Sequence, residues 1–306
     1  MKLVDALAEY EWACKAKNLS PATLRWYKEK LAVFRAYLLA EGLETVADIR
    51  PIVVHRFIDW IRTTPSLNGR GTRSTYTVKA YAETVKVFLS WCEDEELIDS
   101  KVRAKIPNPK VENKVIRILS REQFDRLMAA SDLEPTRMIQ LRDKALLCML
   151  LATGIRASEL CGLRMCDLDL EGDFLRVRGK GNKQREVGPM GQTCVRHLRR
   201  YLRGTHHEPL DPIFRSHRAG KALTTDGVDQ LIKRLRNLAG EEFFVGIRVS
   251  AHTFRHTFAV NFLKQGGNIK QLQLLLGHTS LAVTQRYLED FEQRDARRGR
   301  SVLDGF

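Results

Sequence analysis

A chain of 306 residues with 43% apolar side chains has material for about two cores, at roughly 150 residues per domain. Its formal net charge of +14 and pI near 9.7 call for an anionic partner, because Lys and Arg release counterions when they neutralise phosphates. Residues 1–107 carry 17 basic and 14 acidic side chains, whereas 108–306 carry 34 and 23, so phosphate chemistry is expected in the second part, although a solvated basic face gives the same count.

Asp5, Glu9 and Glu11 stand where a secretory segment would be apolar, and the longest apolar run, Ala145 to Ala152, is far short of the ~18–20 residues that span a bilayer. A soluble, cytoplasmic protein with no membrane partner is expected. The six cysteines, Cys14, Cys92, Cys148, Cys161, Cys166 and Cys194, lack CxxC spacing and sit mostly in apolar helical patterns, which predicts buried reduced thiols without disulfides or zinc.

Along the chain, a helical pattern begins almost at Met1. Ser20-Pro21 makes an N-cap and first-turn proline, and Leu24, Tyr27, Leu31, Phe34 and Leu38 follow at helical spacing to about Gly42. Pro51 opens the next helix, with Val54, Phe57, Ile58 and Ile61 on one side, and Pro65 to Gly71 reads as a loop. From Arg73 to Glu95, Val78, Tyr81, Val85, Phe88, Leu89 and Cys92 define a third apolar face, with Thr72, Lys79 and Lys86 opposite at heptad spacing as candidate DNA contacts. Residues 1–105 read as a small helical bundle, and 106–117, with Pro107 and Pro109, as a linker.

A second domain, 118–306, starts with the capping box Ser120-Arg-Glu-Gln123 and continues in helices through Leu151, where Thr153-Gly154 interrupts before Arg156. Phe174 to Arg178 alternates as a strand, Gly179-Lys-Gly-Asn182 supplies a turn, and Gln184 to Val187 returns as a second strand. The fold expected is therefore mainly α, with a small β-hairpin sheet in the second domain. Near the end, Ala251-His-Thr-Phe-Arg-His256 puts His252 and Arg255 three apart on a helix, Gly277 caps another, and Ser280 starts a short helix that presents Tyr287.

These residues suit one chemistry. Cleaving a phosphodiester builds charge on its non-bridging oxygens, which guanidinium groups such as Arg156 and Arg255 can meet bidentately. A tyrosine hydroxyl, with an ordinary pKa near ~10, is a weak nucleophile and needs a base or a positive field, available from His252, His278 and the arginines. The leaving oxygen needs a proton, which a lysine on a hairpin turn, such as Lys180, can bring. Lys183 and Arg185 share that hairpin and compete for the role. His252 and His256 have the spacing of a zinc helix, but Thr253 replaces the glutamate base and Arg255 would repel a cation, so His256 is read as structural.

In this order, Thr153-Gly-Ile-Arg156-Ala-Ser-Glu159-Leu, Gly179-Lys180-Gly-Asn-Lys, His252-Thr-Phe-Arg255-His, Leu276-Gly-His278 and Tyr287 resemble the tyrosine recombinase (phage integrase) family, especially its Xer-like members. The resemblance covers the second domain, and more loosely the first, which is similar to that family's core-binding domain. It implies a two-domain clamp around duplex DNA and a site-specific recombinase acting through a 3′-phosphotyrosyl link, with no metal, ATP or other cofactor. By the resemblance Tyr287 attacks and Arg156 and Arg255 hold the phosphate. Lys180 protonates the leaving 5′ oxygen, His252 takes or shares the tyrosine proton, His278 adds a hydrogen bond to the phosphate, and Glu159 orients the basic cluster. It further implies a homotetramer on paired recombination sites, with accessory proteins unspecified. From the early start of the first helix, a two-domain recombinase without the extra amino-terminal domain of arm-binding integrases is expected. Lys183 and Arg185 are further candidate DNA contacts, while the tail residues Arg294, Arg297, Arg298 and Arg300 form a run that could be nuclear-localisation-like but is more usually solvated or phosphate-contacting charge. Two rivals remain open: a type IB topoisomerase-like nicking-closing enzyme, and a catalytically silent DNA-binding protein on the same scaffold.

Overall fold

Local signals set the first helices. In the computed structural model Leu3–Ala16 forms α1, and Pro21–Ala40 forms α2, whose N-cap Ser20 accepts the Thr23 N–H at 3.2 Å. Pro51–Thr63 forms α3 and Thr75–Asp94 forms α4. The structure describes every residue except 66–70, 100–101, 112–115, 180–183, 205–206, 217–219 and 297–306, and it divides into two units, Met1–Lys114 and Val115–Phe306.

The apolar faces of α1 to α4 close on one core, in which Phe34, Phe57, Val85, Phe88 and Leu89 are almost fully buried. Lys79 and Lys86 ride on α4, where Lys79 pairs with Glu83 at 3.6 Å and Lys86 Nζ donates to Asn108 Oδ1 at 2.7 Å. Thr72 does not share their helix. Ser74 captures the Thr77 N–H at 3.2 Å and sets the start of α4 at Thr75, while Thr72 forms an isolated antiparallel bridge with Pro65. The heptad reading of Thr72 fails because the cap falls two residues after it.

The second unit continues with Arg121–Ala130 (α5), opened by the expected reciprocal capping box of Ser120 and Gln123. Arg137–Thr153 (α6) is buried along most of its length and ends at Gly154 in the left-handed conformation. Ala157–Gly162 (α7) leads to a three-stranded antiparallel sheet of Leu168–Asp169 (β1), Phe174–Arg178 (β2) and Gln184–Val187 (β3) in sequence order. Leu175 pairs with Val187, and Val177 with Arg185, so that Leu175, Val177 and Val187 turn inward. The sheet has one strand more than the expected hairpin, because β1 is only two residues long and carries no alternation to read.

Gln192–Leu202 (α8), Thr225–Leu238 (α9), Ala251–Lys264 (α10), Ile269–Leu276 (α11) and Leu281–Ala296 (α12) complete this unit. At 16 residues α12 is longer than the short helix that Ser280 implied. The main core gathers α5, α6, the sheet, α8 and α9. A smaller cluster, Ala259, Val260, Leu263, Leu272, Leu276 and Tyr287, fixes α10, α11 and α12 to one another. The architecture is thus mainly helical with one small sheet. Among the described residues no helix is long and apolar enough to cross a membrane, and all six cysteines are free thiols. Four of these are buried, whereas Cys166 is exposed on a short turn of 3₁₀ helix, against the expectation of burial.

Candidate active site

Two helices end at the same place, and their ends assemble the site. The last carbonyls of an α-helix lack intrahelical partners and carry partial negative charge, so they attract guanidinium groups. Arg255, at the start of the second turn of α10 and only 3% exposed, donates through Nη1 to the Gly154 carbonyl at the end of α6, at 2.8 Å. Through Nη2 it donates to the Leu276 carbonyl at the end of α11, at 2.7 Å. Arg185 Nε donates to the neighbouring Leu275 carbonyl at 2.8 Å, and Arg156 Nη1 lies 3.4 Å from the Leu276 carbonyl. Gly154 and Gly277 terminate these helices at φ +62° and +63°. A Cβ at Gly154 would meet Phe258 at 2.4 Å, and one at Gly277 would meet Arg185 at 2.9 Å, so both positions need glycine for space as well as conformation.

Glu159 binds the arginines together. Its carboxylate accepts the Arg156 backbone N–H at 2.8 Å, Arg156 Nη1 at 2.9 Å, and Arg185 Nη1 and Nη2 at 3.0 and 2.9 Å. Burial pushes its pKa up, but the hydrogen bonds and charge of Arg185 and Arg156 outweigh that and hold it below the ordinary value. Arg185 is therefore committed to Glu159 and Leu275, and its side chain is only 14% exposed. That position is at odds with the expectation that it contacts DNA or supplies a proton. Arg156 keeps a side chain 38% exposed, open to an incoming anion.

The expected result of Glu159→Gln is a loss of about 3 kcal/mol of stability in this unit, since two guanidinium groups lose their buried counter-charge. Urea unfolding at neutral pH measures it. The depressed carboxyl pKa also sets a sign: the Glu159 contribution is complete above the ordinary value of 4.5 and is lost as pH falls through the lowered folded value. The glutamine variant should lack that part of the acid sensitivity.

His278 follows Gly277, and its tautomer can be deduced. Arg255 Nη2 has only hydrogens to give, and it lies 2.7 Å from His278 Nε2, so Nε2 accepts. Nδ1 then carries the proton and donates to Thr284 Oγ1 at 2.9 Å. Burial, followed by the charges of Arg255, Arg156 and Arg185, pushes the His278 pKa down to about 4, which keeps the ring neutral. In this arrangement His278 braces Arg255. Thr284 is fully buried and was not singled out from sequence, although it stands three residues before Tyr287 on the same helix face.

Tyr287 is 5% exposed, with its ring in the small cluster and parallel to His278 at a centroid separation of 6.3 Å. Its Oη lies 2.9 Å from His256 Nδ1. Burial raises the phenol pKa above its usual value, and the charge and hydrogen bond of Arg255, with Arg286 and Arg156, offset part of that rise. The hydroxyl is accordingly protonated at neutral pH. His256, read from sequence as structural, is thus the histidine in contact with the hydroxyl. His252 lies one turn earlier on α10, exposed, with its ring edge-on to His256 at 5.9 Å. Its pKa is lowered, first by desolvation and then by Arg255 and Arg156.

Arg156, Glu159, His252, Arg255, His278 and Tyr287 thus converge, whereas Lys180, Lys183 and the tail residues Arg297, Arg298 and Arg300 lie outside the described residues. Burial of Arg255, compensation of Arg185 by Glu159 and exposure of Arg156 leave a positive cradle beside a protonated phenol. Such a site can hold a tetrahedral anion next to an oxygen nucleophile. Among the described residues no group of three or more His, Cys, Asp or Glu side chains is arranged to bind a metal ion.

Comparison with known proteins agrees with this geometry. Residues 117–294 match the model of the phage integrase family. Tyrosine recombinase XerD of Shewanella oneidensis is 33% identical over 294 residues, which cover 93% of this chain and 91% of that protein. Among solved structures, the XerH site-specific recombinase in a post-cleavage complex with its palindromic difH substrate superposes with a TM-score of 0.69 at 24% identity, over 95% of this chain and 83% of the other. A lambda integrase tetramer bound to a Holliday junction gives 0.69 at 18% identity, over 92% and 78%.

Proposed function

This chain belongs to the phage integrase family as a tyrosine-type site-specific recombinase of Xer-like kind, and from that premise we propose how its own residues divide the reaction. Tyr287 attacks the scissile phosphate, leaving a 3′-phosphotyrosyl bond and a free 5′ hydroxyl. Arg156 and Arg255 hold the non-bridging oxygens, and Glu159 with Arg185 keeps the two guanidinium groups in place. His278 orients Arg255 and turns toward the phosphate only if it gives up that bond. The observation that carries this reading is the placing of Tyr287 beside Arg255, with its ring parallel to that of His278, where Arg255 joins the ends of α6 and α11.

Strand exchange follows because the phosphotyrosyl bond conserves the energy of the broken linkage, so a 5′ hydroxyl from a partner duplex can reverse the step without ATP. Two duplexes need four cuts, which favours four copies of this chain on paired sites inside the cell. The lambda integrase tetramer on a Holliday junction supports that stoichiometry by analogy. Lys79 and Lys86 are proposed to contact the DNA backbone. Trapping on a nicked suicide duplex, combined with scoring of recombinant products, tests the assignment. Relaxation of supercoiled DNA without recombinants would instead identify a nicking-closing enzyme.

Lys180 is proposed as the general acid, and bridging sulfur separates it from Lys183. A 5′ thiolate leaves without needing a proton, because its conjugate acid is far stronger than an alcohol. Lys180→Ala should cleave ordinary DNA about 100-fold or more slowly and recover on the sulfur substrate, while Arg156→Ala should stay slow on both. Single-turnover cleavage measures both rates. Rescue of Lys183→Ala alone would move the acid's role to Lys183.

A further inference from the structure

We infer that His256, through Nδ1, is the group that takes the Tyr287 proton when the tyrosine attacks. The inference rests on Tyr287 being the nucleophile and assigns the proton acceptor that this chemistry requires. Three groups adjoin Tyr287. Arg255 is a guanidinium with hydrogens to give and no lone pair to accept one. His278 has both ring nitrogens engaged, Nε2 with Arg255 at 2.7 Å and Nδ1 with Thr284 at 2.9 Å. His256 Nδ1 lies 2.9 Å from Oη, within the range for direct proton transfer.

The step balances without any further reactant. With its ring proton on Nε2, neutral His256 accepts the hydroxyl hydrogen at Nδ1. As the Oη–P bond forms and the P–O5′ bond breaks, that hydrogen moves to Nδ1 and gives an imidazolium. The 5′ oxygen takes its proton from the general acid. On rejoining, the imidazolium returns its hydrogen to the phenolic oxygen and the acid recovers its own.

The placement has a helical origin. His252 and His256 are one turn apart on α10, and α12 packs against α10 with Tyr287 at the contact. The His252 ring meets that of His256 edge-on, so His252 adjoins the acceptor on the solvent side. Charged and titratable neighbours are Arg255 and His252 on α10, Arg156, His278, and Arg286 on α12.

The test couples the acceptor to the acidity of the nucleophile. Asparagine puts a polar atom close to where Nδ1 stands but takes no proton, so His256→Asn keeps a hydrogen bond and loses the base. Adduct formation on a suicide duplex is measured in single turnover for His256 and His256→Asn, each with tyrosine or a difluorinated, markedly more acidic tyrosine at position 287. With ordinary tyrosine the variant is expected to be about 100-fold or more slower. With the fluorinated residue, assayed above its phenol pKa, the deficit should shrink to within about tenfold. An equal deficit with both nucleophiles, or none with tyrosine, overturns the inference. So does a nucleophile-dependent rescue seen in His252→Asn and absent from His256→Asn. DNA binding measured in parallel separates a folding defect, and His256→Gln repeats the comparison if asparagine disturbs α10. Failure of the underlying reading looks different: Tyr287→Phe would then still form the adduct.

Discussion

Tyr287→Phe is expected to lose covalent capture of a nicked suicide duplex, by about 10⁶-fold as when other covalent enzymes lose their nucleophile, while binding the same duplex unchanged. Phenylalanine keeps the ring that packs with Leu272 and Leu276 and lies parallel to His278, and it deletes the only oxygen that can attack. The fold should notice little. The hydroxyl's hydrogen bonds with His256 and Arg255 disappear, each worth about 1 kcal/mol, and the buried ring retains its apolar contacts. Denaturing gels of the trapped complex and a binding titration on the same DNA give the two readouts. An adduct at normal yield would remove Tyr287 from the nucleophile's place.

Arg255→Lys is the second large effect, an expected fall of about 10³-fold in single-turnover cleavage. The guanidinium spans the Gly154 and Leu276 carbonyls at 2.8 and 2.7 Å while its Nη2 also donates to His278. An ammonium is a point charge on a flexible stem and cannot bridge two helix ends while offering a planar pair of donors to a phosphate. Charge is conserved in this variant, so the loss reports geometry. Arg255→Ala should also be less stable by about 3 kcal/mol, because two converging helix ends lose their buried cation. Comparing the two variants by urea unfolding and by cleavage separates holding the fold from holding the phosphate. Cleavage by Arg255→Lys at the original rate would refute its assignment.

Legibility followed the range of the interactions. The caps at Ser20 and Ser120, the glycine ends at Gly154 and Gly277 and the β2–β3 hairpin are local, so a few adjacent residues reveal them. The family could be recognised because its motifs occur in order, even though each is weak alone. What stayed hidden depends on distant partners. Arg185 finds Glu159 across 26 positions and Leu275 across 90, and no spacing rule foretells that a basic hairpin residue will be turned inward. His252 and His256 share a helix face by their spacing, but which one meets Tyr287 is set by the packing of α10 on α12, 31 positions away. Thr72 was misplaced for a smaller reason: a cap at Ser74 outranks a heptad that begins before it.

The acceptors that hold the arginines at the ends of α6 and α11 are backbone carbonyls, and every residue type carries one. Mutation at Leu275 or Leu276 can exchange the side chain without deleting the oxygen that anchors a guanidinium. Selection on the cradle is therefore displaced onto the positions that decide where each helix stops, Gly154 and Gly277. In an unbiased mutational scan, inactivating substitutions at these two helix ends should crowd at the glycines, while apolar replacements at Leu275 survive. A centre wired in this way can persist through drift on its acceptor side, since there the contacts are made by backbone and only the donors are side chains that mutation can delete.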